Sequence, residues 1–288
     1  MVSFDPRRLD FSPYGFSCQR WAPSVMRRPD RHNEIELNFL SHGHLTYLFG
    51  GQVIRVEAPG LAAFWAAIPH QIIAHGPQNE YFVLTVPLGW FLRCKLSERI
   101  VQGLLHGRLF FTSCSERLPM DRRLFSDWEQ DLAETDPTVR RAAHLEIEAR
   151  LRRLAFACAE PPAVSSPHPK RQISIQDGGF AKAAQMAQLV AQRYTEELTV
   201  ARFAQEMRLH RKLAMNLFHK IFGTTFVSYV TQHRISHAQR LLVTSEQSVV
   251  DVSAAAGFSS LSHFNRVFRQ LCGCSPREYR KAHRLCQH

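Results

Sequence analysis

The last third of the chain contains an internal repeat, in which similar residues recur at an offset of fifty positions. The matched pairs are Val200 and Val250, Ala204 and Ala254, Phe218 and Phe268, Gly223 and Gly273, Thr225 and Ser275, and Tyr229 and Tyr279. A repeat of this length usually reflects a duplicated supersecondary unit, and two copies are too few for a solenoid. The sequence therefore predicts a compact domain that contains two similar modules.

Each copy has the pattern of a short helix, a tight turn and a second helix. In the first copy Thr199 can cap "VARFAQEM", and "RKLAMNLFHKIF" follows the turn "RLH". In the second copy Ser248 and Asp251 form a capping box, Gly257 supplies the turn and Ser260 can cap the next helix. These signals predict two helix-turn-helix motifs, at about residues 199–221 and 248–271.

The second helix of such a motif, here called the reading helix, lies in the DNA major groove. The predicted outward positions are Arg211, Lys212, Met215, Asn216 and His219 in the first copy and Leu261, Ser262, Asn265, Arg266 and Arg269 in the second. Arginine can bind guanine through two hydrogen bonds, and asparagine can bind adenine in the same way. Outside these positions, Lys220, Arg234 and Arg280 are predicted phosphate contacts, which position a protein without specifying sequence.

The charge of the chain is concentrated in the same region. The formal net charge is +11 and the sequence pI is about 9.7. Residues 1–178 contain 21 Lys and Arg against 19 Asp and Glu, whereas residues 179–288 contain 15 against 6, a net charge of +9. This distribution indicates double-stranded DNA as the partner of the C-terminal third. A single-strand or RNA binder is less favoured, because the aromatic residues there have core spacing.

The remainder of the chain has a different character. Short strand-like runs separated by Gly and Pro, from about residue 34 to residue 88, predict a β-sandwich or a small barrel. Two helical patterns follow, and either could pack on the β domain or form a subunit interface. The run "EPPAVSSPHPKRQISIQDGG" contains four prolines and predicts a linker. We therefore expect an α+β protein with a β-rich domain at 1–116, a helical segment at 117–159, a linker at 160–179 and a DNA-binding domain at 180–288.

Neither a disulfide framework nor membrane insertion is indicated. The chain contains seven cysteines at scattered positions, which favours free thiols in a reducing compartment. A thiolate metal site at Cys272, Cys274 and Cys286 fits no zinc spacing well. No segment reaches 18 uninterrupted apolar residues, and the N-terminus lacks the apolar run of a signal peptide. We expect a cytoplasmic protein that has no membrane partner.

The C-terminal motifs resemble those of the AraC/XylS family of bacterial transcription regulators. The resemblance is carried by "AAAGFSSLSHFNRVFRQLCGCSPREYR" and "FHKIFGTTFVSYVTQHRISHAQRLL" and extends over about residues 180–282. It implies seven helices, two reading helices that enter adjacent major grooves, and RNA polymerase as a further partner. It also implies no catalytic residues.

A narrower resemblance, to a carbohydrate-operon regulator of the same family, is carried by "LTYLFGGQ", "LAAFWAAIPHQI", "PLGWFL" and "LAMNLFHKI". It implies a cupin-like, sugar-binding N-terminal β-barrel, helical dimerisation through residues 117–159, and activation of carbohydrate genes. Residues of the barrel that are expected to contact the effector are Arg31, His32, Glu36, Trp65, His70 and Trp90.

The cupin resemblance also raises an alternative function. His32, Glu36 and His70 match positions at which cupin enzymes hold a metal, and Asp30 stands where such enzymes have a further His. Together the four could form a mixed nitrogen and oxygen site. A metal-dependent enzyme with a nucleic-acid-binding appendage is therefore the competing hypothesis. Regulators of this type use the barrel as a binding pocket, so we expect a non-enzyme with neither metal nor cofactor.

Overall fold

The structure is a computed structural model that describes residues 2–8, 12–77, 80–157 and 178–283. Its strands are β1 Ser17–Trp21, β2 Glu34–Leu40, β3 His44–Phe49, β4 Gln52–Glu57, β5 Gly60–Trp65, β6 His70–His75, β7 Tyr81–Pro87 and β8 Phe110–Ser113. Its helices are α1 Leu88–Arg93, α2 Glu98–Leu105, α3 Leu118–Asp131, α4 Pro137–Ala157, α5 Gly178–Arg193, α6 Val200–Glu206, α7 Arg211–Phe222, α8 Phe226–Thr244, α9 Val249–Ala255, α10 Leu261–Cys272 and α11 Pro276–His283. None of the described helices has the length and apolar character that crossing a membrane requires. The predicted linker lies almost entirely outside the described residues.

The N-terminal half contains two antiparallel sheets. One has the strand order β1-β7-β2-β5-β8 and the other the order β4-β3-β6. Hydrogen-bonded strands do not join the two sheets into a closed ring among the described residues, so the expected barrel is corrected to a pair of sheets. A single bridge between Asp30 and His70 links the chain before β2 to β6.

The larger sheet is covered on both faces, which explains why every residue of β2 and β5 is buried. Tyr47, Phe49 and Phe64 fill the space between the sheets. On the opposite face Phe125 and Trp128 of α3 pack with the residues of a second core. Strands that are buried on both faces have continuous apolar runs, as "GLAAFW" does.

Helices α3 and α4 pack on each other and on the β domain. A buried ion pair joins them, with Arg150 Nε 2.8 Å from Asp121 Oδ1. Helix α4 buries one face and exposes another, on which Leu145 is 52% and Phe156 85% accessible. The two helices therefore belong to the N-terminal domain, and an apolar surface of α4 remains uncovered among the described residues.

The C-terminal domain consists of two helical modules on either side of α8. The first module (residues 199–222) packs with α5 around Phe203, Phe218 and Tyr229. The second module (residues 248–272) packs with α11, and its core is continuous with that of the N-terminal domain. Cys272 and Cys274 are free thiols at the end of α10 and in the following turn, in agreement with a structural role.

The hydroxyl caps predicted from the sequence are present. Thr199 Oγ1 accepts from the Arg202 N–H at 3.2 Å, and Ser248 Oγ accepts from the Asp251 N–H at 3.1 Å. Ser260 Oγ likewise accepts from the N–H of His263 at 3.3 Å. These bonds satisfy N–H groups that the first helical turn leaves unpaired, and so they fix where the helices begin.

The repeat has an offset of 49 residues before the turn and 50 after it. The Leu209 N–H donates to Ala204 O, and the equivalent bond in the second module joins Phe258 to Ser253. The structural counterpart of Ala204 is therefore Ser253, and Ala254 is exposed. Ser259 is the extra residue, because the reading helices themselves begin 50 residues apart. The pairings of Val200 with Val250 and of Ala204 with Ala254 are corrected accordingly.

Candidate nucleic-acid interface

The second reading helix, α10, exposes the predicted contact residues on one face. Phe264, Val267 and Phe268 are buried on the other face and hold the helix against the domain. The exposed residues of α10 include all five predicted readers: Leu261, Ser262, Asn265, Arg266 and Arg269. The buried anchors thus recur every three to four residues on one face of the helix, and the hydrogen-bonding groups lie on the other face, as the amphipathic pattern predicts.

Four of these readers lie along an open groove. Leu261, Asn265, Arg266 and Arg269 line it together with Gln270 and Arg277. The last two residues were missed from the sequence, since Gln270 lies one position beyond the last predicted reader and Arg277 belongs to α11. Their exposed amide and guanidinium groups extend the hydrogen-bonding surface toward the start of α11.

The first reading helix, α7, presents a similar surface. Arg211, Lys212, Asn216 and His219 are exposed, whereas Met215 is half-buried against the core of the first module. Leu213, which was not predicted as a reader, is an apolar side chain that is 56% accessible.

The three predicted phosphate contacts differ in their environment. Lys220 is exposed at the end of α7. Arg234 Nε donates to Tyr194 O at 2.7 Å, and Arg280 Nη2 donates to Gln247 O at 2.6 Å. Both guanidinium groups thus tie neighbouring segments of the domain together, which reduces their availability for phosphate. Only Lys220 keeps the environment that a phosphate contact requires.

The six predicted effector residues do not form one pocket. Glu36 and His70 line a cavity between the two sheets, together with Tyr14, Asp30 and Tyr47. His32 is fully buried beside Glu36, with its Nε2 2.9 Å from Glu36 Oε2.

The other three predicted effector residues lie elsewhere. Trp65 is buried in the core on the other face of the large sheet. Trp90 belongs to α1 and contacts the ring of Phe16. Arg31 points out of the N-terminal domain, and its Nη2 donates to Ser236 Oγ of α8 at 3.1 Å.

Comparison with known proteins identifies the type of regulator. Residues 203–282 match the helix-turn-helix domain family. The melibiose operon regulatory protein of Escherichia coli strain K12 is 28% identical over 261 residues, which cover 90% of this chain and 85% of that protein. The chain resembles regulators of the AraC/XylS family. The transcriptional activator NphR of a Rhodococcus species is 38% identical to this chain over 104 residues, 31% of each chain.

Among solved structures, a transcriptional regulator with an AraC-type DNA-binding domain from Chromobacterium violaceum is 27% identical. It covers 38% of this chain and 98% of its own, with a TM-score of 0.36. The protein relatives are transcription regulators, not enzymes. The similarity to these relatives supports DNA-binding transcription regulation as the role of the protein described here.

The cavity between the sheets contains a charged cluster. Burial disfavours a charged His32, but hydrogen bonds to Glu34 and Glu36 outweigh it and raise the pKa of His32 to about 9. Burial likewise opposes a charged Glu36, yet its hydrogen bond with His32 and the positive charge of that ring lower its pKa to about 2. Burial lowers the pKa of His70. At neutral pH the cluster therefore holds the imidazolium of His32 beside the carboxylate of Glu36.

Three residues of the same cluster could in principle serve as ligands of a metal ion. Asp30, His32 and His70 can each offer one ligand atom within 4.8 Å of the others. Both ring nitrogens of His32 are already hydrogen-bonded, to Glu34 at 2.8 Å and to Glu36 at 2.9 Å. A metal needs a neutral imidazole, so it would have to displace the proton that this arrangement stabilises. As arranged, these residues stabilise a protonated His32 and do not favour a bound metal ion.

Proposed function

We propose that the protein is a sequence-specific regulator that binds double-stranded DNA through both reading helices and activates carbohydrate-utilisation genes in the cytoplasm. The observation that carries the DNA part is the pair of reading helices with exposed Arg and Asn side chains in a region of net charge +9. The carbohydrate part rests on similarity to the melibiose operon regulatory protein.

The two reading helices supply different contacts. Asn265 and Arg266 offer groups that can bind adenine and guanine edges, and Arg211 and Asn216 offer the same chemistry in the first module. Leu213 and Leu261 offer apolar contact, for instance to a thymine methyl group. Lys220 is the preferred phosphate contact, because its ammonium group is exposed and belongs to a reading helix.

The test of DNA recognition is selection of a duplex from a random library, followed by titration at several salt concentrations. We expect the full chain to bind the selected duplex at least a thousandfold more tightly than a scrambled one, with an affinity that falls steeply with salt. Equal binding of both duplexes would contradict sequence-specific recognition.

We infer that the N-terminal domain responds to a small sugar and that RNA polymerase is contacted at the promoter. The cavity beside Glu36 and His70 has a volume of about 30 Å³. Since small-molecule sites usually have about 300–1,000 Å³, a sugar there requires the sheets to separate. DNA binding and transcription in vitro, each with and without melibiose and other small sugars, test this response. Identical affinity and identical transcript levels in all samples would contradict it.

We also infer a homodimer, formed through the exposed face of α4. Leu145, Ala149, Arg152 and Phe156 lie on this face, and two of them are apolar side chains that are more than half exposed. Sedimentation of Leu145→Asp/Phe156→Asp tests it, with Val25→Asp at another exposed apolar position as control. We expect a monomer for the double variant and a dimer for the control, and two dimers would contradict the assignment.

A further inference from the structure

A cleft of about 350 Å³ lies between the N-terminal domain and the DNA-binding domain. The N-terminal domain contributes the β3–β4 turn, with Gln52, and the end of α2, with His106. The DNA-binding domain contributes α5, the residues that follow it, and one face of α8. The cleft is more than ten times as large as the cavity between the sheets and lies within the usual range of small-molecule sites.

The polar lining of this cleft lacks negative charge. Among the described residues that line it there is no Asp or Glu. Arg240 Nη1 contacts His106 Nε2, while His106 Nδ1 lies 2.7 Å from Gln102 O. Because His106 Nδ1 donates to that carbonyl, its Nε2 is the acceptor of the Arg240 N–H. The guanidinium charge of Arg240 thus faces a neutral partner.

Two histidines of α8 leave buried nitrogen atoms unpaired in the same cleft. Within the described residues, His233 Nε2 and His237 Nδ1 are inaccessible to solvent and have no hydrogen-bond partner. His233 is only 5% exposed and stacks on the ring of Tyr194. Leaving a buried polar atom unpaired costs about 1–3 kcal/mol, so such atoms usually have a water or ligand partner.

Both of these imidazoles are neutral at physiological pH. Burial, with a further contribution from Arg31, lowers the pKa of His233 to about 3. Burial also lowers the pKa of His237 to about 4, together with the positive charge of Arg240. Each ring therefore offers one N–H donor and one acceptor nitrogen, which suits the hydroxyl groups of a ligand. Arg240 supplies the fixed positive charge.

We propose that this interdomain cleft binds a small polyhydroxylated anion, either a sugar phosphate or a sugar acid. The anionic group pairs with Arg240 through charge-assisted hydrogen bonds. The hydroxyl groups bind the amides of Gln52, Gln188 and Gln192, and the ring of Tyr194 forms an apolar wall. The unpaired nitrogens of His233 and His237 join these contacts when their rings turn toward the cleft. This site is separate from the cavity beside Glu36 and does not require the sheets to move.

The position of the cleft gives the ligand a role in joining the two domains. Residues of both domains line it, so a bound ligand contacts both and stabilises their docked arrangement. The adjacent part of α8 is already docked, because Ser236 Oγ donates to Ala67 O at 2.6 Å. The ligand therefore adds to an existing contact, and any change in domain docking changes its affinity by the same factor.

The experiment measures binding to the full chain by calorimetry and thermal shift. The probes are glucose 6-phosphate and galacturonate, with neutral galactose and inorganic phosphate as controls. We expect saturable binding and a raised Tm with at least one of the two sugar anions, whereas galactose and phosphate bind at least tenfold more weakly. Which anion binds distinguishes a sugar phosphate from a sugar acid. If neither binds, or if phosphate alone binds as tightly, the proposal is overturned.

Substitutions in the cleft test whether the anion binds there. Arg240→Gln and Gln52→Ala, one in each domain, should weaken binding of the better anion, by tenfold or more for Arg240→Gln. Arg123→Gln, an exposed arginine of α3, is the matched control and should bind as the parent does. Binding of the selected duplex reports whether each variant is folded. If Arg240→Gln does not fold, the affinity of Gln52→Ala for the anion tests the site instead. Undiminished affinity in both folded cleft variants would overturn the site.

Discussion

The two helix-turn-helix modules share one backbone design but differ in how well their residues suit it. In both, the turn contains a residue with positive φ, which is Arg208 in the first module and Gly257 in the second. The second reading helix begins at a capping serine, whereas the first begins at His210, which makes no capping side-chain bond. The core of the second module is continuous with the main core of the N-terminal domain, whereas the core of the first module includes Leu48 of β3.

The difference indicates that the buried anchor residues maintain the duplicated fold, whereas its turn and capping residues are less important. Phe218 and Phe268 are fully buried at equivalent positions of the two reading helices. Around these anchors the first module has an unfavourable turn residue and an uncapped reading helix, and it still has the same hydrogen bonds in its turn. Tertiary packing thus compensates for weaker local preferences.

The largest expected effect comes from Gly257→Ala. Gly257 has φ of +87°, and a Cβ there would lie 2.7 Å from Thr195 O. Positive φ and contact with a backbone atom together should lower the free energy of unfolding by about 2–4 kcal/mol. Urea unfolding measures this. Gly273→Ala is the control, since Gly273 has φ of +72° with nothing near its Cβ, and it should cost only about 1 kcal/mol. Equal losses would contradict the close approach to Thr195.

Removal of a base contact from the second module should have the next largest effect. Arg266→Ala should cost about 1–3 kcal/mol of binding free energy at its cognate base pair and relax specificity there. Competition binding with single-base variants of the selected duplex measures it. Lys220→Ala, at a predicted phosphate contact, should weaken all duplexes alike and reduce the salt slope by about 1. A uniform loss with Arg266→Ala would make Arg266 a phosphate contact instead.

Substitutions at the N-caps of the two reading helices should reverse their difference in capping. Ser260→Ala should destabilise the protein by about 1 kcal/mol, because the His263 N–H loses its partner. His210→Ser should stabilise it by about 0.5–1 kcal/mol, as it supplies a missing cap. Thermal and urea unfolding of both variants test this. No gain with His210→Ser would indicate that the first reading helix has another partner for its N-terminal N–H groups.

The smallest expected effect is that of Arg208→Gly. Arg208 has φ of +51°, a conformation that glycine adopts without strain. Because glycine also loses more entropy on folding, the net gain in unfolding free energy should be below about 1 kcal/mol. Comparison with Arg208→Ala, which keeps the strain, isolates the backbone contribution. A loss with Arg208→Gly would mean that the Arg208 side chain makes a stabilising contact.

The sequence was sufficient to predict both modules because their signals are local. Hydroxyl caps, amphipathic spacing and glycine at the helix ends lie within a few residues of what they determine. The offset of 49 residues before the turn was missed, because Val250 and Ala254 imitate Val200 and Ala204 one position away from their true counterparts. The capping residues Thr199 and Ser248, which lie 49 residues apart, and the backbone hydrogen bonds of the turn resolve this ambiguity.

Predictions that depended on long-range contacts were less accurate. Periodicity indicates that Arg234 and Arg280 are outward but not that carbonyl groups from other segments accept their hydrogen bonds. Trp65 and Trp90 are residues of the type that lines sugar-binding pockets, but both pack in the core outside the cavity. Arg31 was placed inside the barrel, since nothing in its sequence neighbourhood reveals that α8, two hundred residues away, lies against it.

The extra residue Ser259 has a consequence for chimeric regulators. Both reading helices contain twelve residues and end at a glycine, so replacing 211–222 by 261–272 keeps the chain length and both helix ends. An exchange of whole modules at a constant offset of fifty would instead align Arg208 with Phe258 and place Met207 opposite Gly257. Domain shuffling should therefore join segments after the turn, where the two copies are interchangeable in length.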